Sequence, residues 1–274
     1  MSRRVRLDAE LVRRGLARSR EQASELISQG HVKVAGMVAH KPATQITTDQ
    51  PIVVSEVETS KWVSRGAYKL LGSLDVFEPM GLNVQGKVVL DAGASTGGFS
   101  HVLLERGVKR IHAVDVGYGQ LAWQLQQDPR IHQMDRTNVR SLTTEELGEA
   151  VDLVVSDLSF ISLTTVMAAL ARVCELTGDM VLMIKPQFEV GKENLGKNGV
   201  VREPELHSFA IEKVTKSAAE HGWGTHALAP SPLPGPAGNI EYFCWLRTDT
   251  APPSLESIAA VVSARPQKVE GVVS

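Results

Sequence analysis

The feature that most constrains this chain is a short apolar run that ends in an acid and opens directly into a glycine-rich turn. Residues 88–99 read VVLDAGASTGGF. Val88, Val89 and Leu90 have the length and composition of a buried strand, and Asp91 closes it. Gly93, Ala94, Ser95, Thr96, Gly97, Gly98 and Phe99 then carry the chain through a turn into a helix. Glycines let the backbone approach a ligand closely, and a carboxylate accepts hydrogen bonds from a cationic or hydroxylated one. A dinucleotide site calls for G-x-G-x-x-G to cradle a pyrophosphate. Here the spacing is G-x-x-x-G-G, which disfavours that ligand.

The same rhythm recurs downstream. Apolar runs at 111–116, 151–155 and 180–184 alternate with helix-permissive stretches, and 240–246 reads as a late strand. This pattern predicts an α/β fold, a doubly wound and mostly parallel sheet covered by helices on both faces. The turn itself resembles the D-x-G-x-x-x-G of Rossmann-like class I methyltransferases, in which it holds the methionine part of S-adenosylmethionine. Asp115 closes the second run, where an acid meets a ribose diol, and Asp135 follows 131–134, within reach of an adenine amino group. Taken singly, each aspartate reads equally as a turn or helix cap. Three carboxylates closing successive strands favour a ligand site.

Ahead of the sheet, residues 7–54 form a small α+β unit. A helix beginning near Asp8 stops at Gly15, and a second with Ser19 as N-cap and Gln22 in its first turn stops at Gly30. Strands follow at 31–34 and 52–54, with Ala35-Gly36 as a turn. Residues 1–41 hold nine Lys/Arg against four Asp/Glu, whereas the remainder holds 20 against 27. That asymmetry points to a nucleic-acid or membrane-surface contact, or to a solvated basic face. The expected boundaries are 1–59 for this domain, 60–64 for a linker, 65–250 for the α/β domain and 251–274 for a partly disordered tail that holds at most a short helix. Cys174 and Cys244 lack ligand spacing for zinc and read as buried, reduced thiols, and no metal site is expected. Neither an 18-residue apolar run nor a secretory h-region occurs, which places the protein in the cytoplasm.

Asp157 ends the strand at 151–156, and Lys185 ends the strand at 180–184. A lysine at the end of a buried strand needs a partner, and Asp157 can serve. Lys69 lies in a helix over 65–74, and Glu241 follows the rigid loop SPLPGPAGN over 231–239. In order and strand context these four resemble the K-D-K-E tetrad of FtsJ/RrmJ-like RNA 2′-O-methyltransferases. The phrases WVSRGAYKL, LDAGASTGGF, DVGYGQLAW, DLSFISL, KPQFEVG and PLPGPAGNIEYF are similar to those of the TlyA family over residues 5–247. The N-terminal unit likewise resembles the S-four-type RNA-binding domain that family carries. Where the family often shows R-x-W-V, this chain has Ser60-Lys61-Trp62-Val63. The resemblance implies methyl transfer from S-adenosylmethionine to the ribose 2′-oxygen of cytidine in ribosomal RNA. Arg3, Arg4 and Arg6 at a full N-terminal helix start resemble the form that modifies both subunits.

The chemistry fits these residues. A ribose hydroxyl is a poor nucleophile at neutral pH, so the enzyme must orient it and remove a proton. If desolvation and the Lys69 ammonium favour its neutral form, Lys185 is the base, positioned by Asp157, while Glu241 orients Lys69 or the ribose. Whether Lys185 takes the proton or only steers the hydroxyl is open at this level, as is a salt-bridge network that merely holds helix to sheet. Asp157 is also a cofactor candidate. Arg3, Arg4, Arg6, Arg14, Arg18, Arg20, Lys33 and Lys41 are the candidate phosphate contacts, with ribosomal RNA within ribosomal subunits as the partner. Trp62 suits linker packing better than base stacking. The rival readings are a pseudouridine synthase, a non-catalytic ribosome assembly factor and a haemolysin-like protein. The glycine-rich turn opposes the first, the intact tetrad the second, and the lack of an apolar span the third. The sequence does not determine the oligomeric state or the exact nucleotide.

Overall fold

The structure, a computed structural model, describes residues 4–17, 20–28, 30–54 and 61–264. The chain divides into two units between Lys61 and Trp62.

In the N-terminal unit, β1 (Arg4–Arg6) leads without a break into α1 (Leu7–Arg13), followed by α2 (Arg20–Ser28), β2 (Val32–Val34), β3 (Met37–Val38), β4 (Gln45–Thr47) and β5 (Ile52–Val54). The expected helical start at Arg4 and Arg6 is corrected: those residues are a strand paired antiparallel with β4. Leu7 and Asp8 at the head of α1 donate their N–H groups to the carbonyls of Thr44 and Pro42. Those acceptors satisfy helix N-terminal donors that would otherwise need a side-chain cap. Ala35 and Gly36 both have positive φ, 48° and 84°. This is the mirror-image turn that matches strand twist in a two-residue hairpin. Leu7, Leu11, Ala23, Ile27, Val32 and Ile46 fill a small separate core.

The larger unit starts with α3 (Gly66–Phe77), then β6 (Val88–Ala92), α4 (Gly98–Glu105), β7 (Arg110–Val114), α5 (Trp123–Gln126) and β8 (Ile131–Met134). It continues with α6 (Thr144–Leu147), β9 (Val151–Ser156), α7 (Leu163–Val173), β10 (Cys174–Ile184), α8 (Pro186–Glu189) and α9 (Pro204–Glu220). The last elements are β11 (Gly224–Pro230), β12 (Tyr242–Arg247) and α10 (Leu255–Ser263). The seven strands lie in the order β11-β12-β10-β9-β6-β7-β8. All neighbours are parallel except β12, which runs antiparallel to both β10 and β11. The doubly wound, mostly parallel sheet expected from the alternating runs is therefore present.

Period-two alternation divides the core. Met180, Leu182 and Ile184 pack with α7, α9 and α10 on one face. Val181 and Met183 pack with α3 and α4 on the other. Each such side chain stabilises the fold by about 2 kcal/mol relative to exposure. Helix α10 buries Ile258, Val261 and Val262 in the first cluster, so the tail, expected to hold at most a short helix, contributes to the core as far as Val262. Residues 265–274 of that tail, part of which was expected to be disordered, lie outside the described residues. Cys174 and Cys244 are free and buried, and burial pushes both thiols up to about 12.

Strand order and register position the site. The order reverses between β6 and β9, which opens a crevice at the carboxyl ends of the strands. Ile184 pairs with Tyr242 across the antiparallel β10/β12 ladder. Lys185, one residue past the end of β10, therefore emerges at the same edge as Glu241, one residue before β12.

Candidate functional site

Lys69, Asp157 and Lys185 line one cleft at this edge, together with Ser64, Arg65, Gly66, Ser159 and Pro236. Lys185 Nζ lies 2.6 Å from Asp157 Oδ1 and donates to Ser159 Oγ at 2.8 Å. Lys69 Nζ donates to Glu241 Oε2 at 2.5 Å. Gln187 Nε2 donates to the other oxygen, Glu241 Oε1, at 3.2 Å. Lys69 and Glu241 are almost wholly buried, with side-chain exposures of 6% and 1%. The lysines come from α3 and the end of β10, and the acids from the end of β9 and the start of β12. Residues 172 positions apart thus meet because four elements end at one sheet edge. Each ammonium is held next to a carboxylate, which offsets the cost of desolvating either charge alone.

The glycine-rich turn forms the opposite wall. Gly93, Ala94, Ser95, Thr96, Gly98 and Phe99 line the cleft, but Gly97 does not. Gly97 has φ 90°, and a side chain there would collide with Leu125 and Leu121 at 2.3 and 2.7 Å. Its glycine is required by backbone conformation and packing. Gly98 is a close approach of a different kind, since a Cβ would lie 2.3 Å from Ser64 Oγ and 2.9 Å from the Ala67 nitrogen at the head of α3. Phe99 is 3% exposed and stacks obliquely on Phe243, so it is mainly a core residue.

Asp91 departs from its expected place. It is fully buried and presents no carboxylate to the cleft. Ser100 Oγ donates to its Oδ2 at 2.7 Å, and its Oδ1 is buried without a partner. Burial pushes its carboxyl up to about 7, against the opposing Ser100 hydrogen bond. Asp91 therefore braces α4 from behind the turn. Asp115 and Asp135 lie at the strand ends as expected, and both accept backbone N–H groups. Asp115 accepts from Ser95 at 2.8 Å and Gly117 at 2.7 Å, and Asp135 from Gly119 at 2.8 Å. In this state they tie the three turns together, and an ionised carboxylate retains further acceptor sites for a ligand.

Sequence reasoning passed over Ser64, Arg65, Ser159 and Gln187. Arg65 donates to the Pro234 carbonyl at 2.9 Å, which fastens α3 to the proline-rich loop before Glu241. The signals were available in WVSRG, DLSF and KPQF, but small polar residues beside a charged one carry no periodicity. Trp62 packs edge-on to His101 at 5.0 Å between centroids, in line with the packing role expected for it. Ser60 lies outside the described residues.

Of the candidate phosphate contacts, Arg3 and Arg18 also lie outside the described residues. Arg4, Lys33 and Lys41 are exposed. Arg6 and Arg20 both reach Asp8 Oδ2, at 2.8 and 2.9 Å, with side chains 46% and 60% exposed. The Arg6 guanidinium beside Asp8 holds that carboxyl well below the usual range. Arg14 is more committed, bonding Glu10 and the carbonyls of Gln50 and Thr48. With Arg13 it holds the Glu10 carboxyl down to about 2, Arg13 contributing more. Arg14 is thus a structural clasp, and its guanidinium has little left to offer a phosphate. Among the described residues no helix is long and apolar enough to cross a membrane, and no group of metal-binding side chains occurs.

The FtsJ-like methyltransferase family matches residues 62–248, and the S4 domain family matches residues 5–52. The 16S/23S rRNA (cytidine-2′-O)-methyltransferase TlyA of Mycobacterium tuberculosis (strain ATCC 25618 / H37Rv) is 54% identical over 91% of this chain and 92% of its own. Hemolysin A of Brachyspira hyodysenteriae is 33% identical over 87% of this chain and 98% of its own. A solved structure described as a hemolysin from Streptococcus thermophilus superposes with a TM-score of 0.74 at 37% identity, covering 96% of both chains.

Proposed function

Because this chain belongs to the TlyA family, in which an S4 domain precedes an FtsJ-like methyltransferase domain, we propose that it methylates the ribose 2′-hydroxyl of cytidine in ribosomal RNA, with S-adenosylmethionine as donor. Both the small- and the large-subunit RNA are the proposed substrates, as the name of the mycobacterial relative has it, and the site of action is the cytoplasm, where the subunits are.

The observation that carries this reading is the convergence of two lysine–carboxylate pairs on one cleft beside a glycine-rich turn. The donor set suits S-adenosylmethionine, whose methionine part has a carboxylate and an ammonium. Gly97 caps α4 with no side-chain acceptor, so the Gly98 and Phe99 N–H groups at the cleft wall are available to a carboxylate. Asp157 offers negative charge to a cation from the facing wall, and Asp115 and Asp135, outside the cleft lining, offer further acceptors at the next two strand ends. When bound, S-adenosylmethionine supplies a methyl group already activated on a sulfonium. What remains for the protein is to align the ribose oxygen and manage its proton.

Lys185, held by Asp157 and Ser159, lies where it can orient the 2′-hydroxyl and receive or steer its proton. Lys69 keeps a fixed positive charge at the cleft through Glu241, and Gln187 fixes the rotamer of Glu241 in turn. The S4 domain supplies phosphate contacts from Arg4, Arg6, Arg20, Lys33 and Lys41, which position RNA without reading its sequence.

The test is to incubate the protein with labelled S-adenosylmethionine and unmodified small and large subunits, then map modified riboses by mass spectrometry. The expected product is 2′-O-methylcytidine in both RNAs. Label in one RNA alone restricts the substrate, and no transfer despite measurable cofactor binding overturns the enzyme reading in favour of a non-catalytic RNA-binding factor.

A second expectation concerns docking. Arg6→Ala combined with Arg20→Ala weakens subunit binding and lowers the slope of log affinity against log salt by about 0.7 to 0.9 per lost phosphate contact. Asp8, 3% exposed, would lose both guanidinium partners in that variant. A thermal melt of the same protein separates lost contacts from a loosened domain. Unchanged RNA affinity in the folded variant removes these arginines from docking.

A further inference from the structure

We propose that Glu189 is a positioning residue that sets the geometry of the Lys185–Asp157 pair, by holding the segment after β9 against the segment after β10. The proposal rests on the reading that this pair acts in methyl transfer.

Glu189 ends α8, four residues beyond Lys185, and is 2% exposed. Ser162 Oγ donates to its Oε2 at 2.5 Å, and the Leu163 N–H donates to its Oε1 at 2.7 Å. Ser162 is the N-cap of α7 and accepts from the Thr164 N–H at 3.2 Å. One carboxylate therefore joins the end of α8 to the start of α7. Between those anchors, residues 157–162 carry both partners of Lys185, Asp157 and Ser159. They also carry Phe160 at φ 64°, a left-handed conformation unfavourable for a bulky residue. The segment is tied at its start by the Asp157 N–H to the Ala92 carbonyl at 3.2 Å. Glu189 ties its end.

A buried carboxylate is costly unless several donors converge on it. Here two donors and the positive end of α7 do so, and Lys213 of α9 adds support. Lys213 Nζ donates to the Glu189 backbone carbonyl at 2.7 Å and lies 3.7 Å from Oε2. Desolvation still pushes the Glu189 carboxyl up from its ordinary value. Capping α7 alone needs only Ser162. The additional reach from Glu189 links the two loops that meet at Lys185, and displacement of either loop changes the position of Lys185 relative to its acid.

The test compares full-length Glu189→Ala, Glu189→Gln, Ser162→Ala and Lys185→Ala for turnover on ribosomal subunits, cofactor dissociation constant, pH profile and melting. A misplacement on the ångström scale costs up to about 100-fold in rate, so Glu189→Ala should lower kcat by about 10- to 100-fold while cofactor affinity stays within about threefold. Its pH profile should shift, which a merely structural weakening would not produce. Glu189→Gln should restore kcat to within about threefold, because the amide accepts from Leu163 and donates to Ser162. Should Glu189→Ala fail to fold, Ser162→Ala, which removes one of the two bonds, should still lower kcat by about three- to tenfold. Wild-type kcat and pH profile in a folded Glu189→Ala, or equal impairment in the alanine and glutamine variants, would overturn the proposal. Undiminished activity in Lys185→Ala would instead overturn the reading beneath it.

Discussion

Lys185→Ala should abolish methyl transfer to the limit of detection, a fall in kcat of about 100- to 10,000-fold for loss of a group that manages the proton. The same variant should bind S-adenosylmethionine nearly as well as the parent, because the turn at Gly93–Gly98 and the acids at the strand ends remain. Lys185 is 7% exposed and its ammonium contacts Asp157 and Ser159. Alanine therefore leaves Asp157, with its side chain 23% exposed, without that ionic partner at a partly open cleft wall, where water can enter the space the ammonium leaves. Equilibrium binding measured beside single-turnover methylation checks both halves, and full transfer by the variant would exclude Lys185 from the chemistry. Lys185→Arg discriminates further: it keeps a positive charge but cannot give up its proton at neutral pH. An inactive arginine variant supports proton acceptance, and a partly active one supports steering of the hydroxyl.

The largest expected effect on stability lies at the other pair. Glu241→Ala strands the Lys69 ammonium, 6% exposed, beside Met183 Sδ at 3.8 Å. Removing one partner of a buried ion pair costs about 3–5 kcal/mol, so the variant should melt well below the parent as well as lose activity. The double replacement Lys69→Met with Glu241→Leu removes both charges and roughly conserves volume. It should regain most of the stability and none of the activity, since apolar pairs often replace buried ion pairs at no net cost. Denaturant unfolding of the two variants, read with transfer assays, separates the two roles. A double variant as unstable as Glu241→Ala would mean that the loss reflects packing around the proline-rich loop, not a stranded charge.

The Asp91–Asp115–Asp135 series shows how far a strand-end pattern can be read. Asp115 and Asp135 each stand one residue past the end of their strand, as the alternating runs place them, whereas Asp91 lies inside β6, one residue before its end. What each carboxylate does there is not periodic. Asp91 turns inward to Ser100, while Asp115 and Asp135 cap backbone N–H groups across the turns. The same limit applies to the arginines of the N-terminal unit. Their number and density are legible, but the commitment of Arg14 to Glu10 depends on helix α1 turning Glu10 inward.

Strand β11 was not anticipated, as Gly224–Pro230 mixes small, polar and proline residues and is bulged near His226. Its pairing comes from β12, through long-range hydrogen bonds that no local pattern encodes. Helix α10 was legible only as a short helix, and its packing against α9 and β11 makes it part of the core.

By itself the sequence determined the element types of the α/β unit apart from β11, the glycine-rich turn and the basic bias of the first 41 residues, and it named Lys69, Asp157, Lys185 and Glu241 as candidates. These are carried by local spacing, by charge density and by phrases long enough to be specific. Only the tertiary structure decided that Lys69 pairs with Glu241 and Lys185 with Asp157, and that Glu189 joins the two loops that meet there. Those contacts follow from antiparallel insertion of β12 beside β10 and from the parallel pairing of β9 with β10. They close over separations of 26 to 172 residues, where the energy of a contact depends on which elements have already docked.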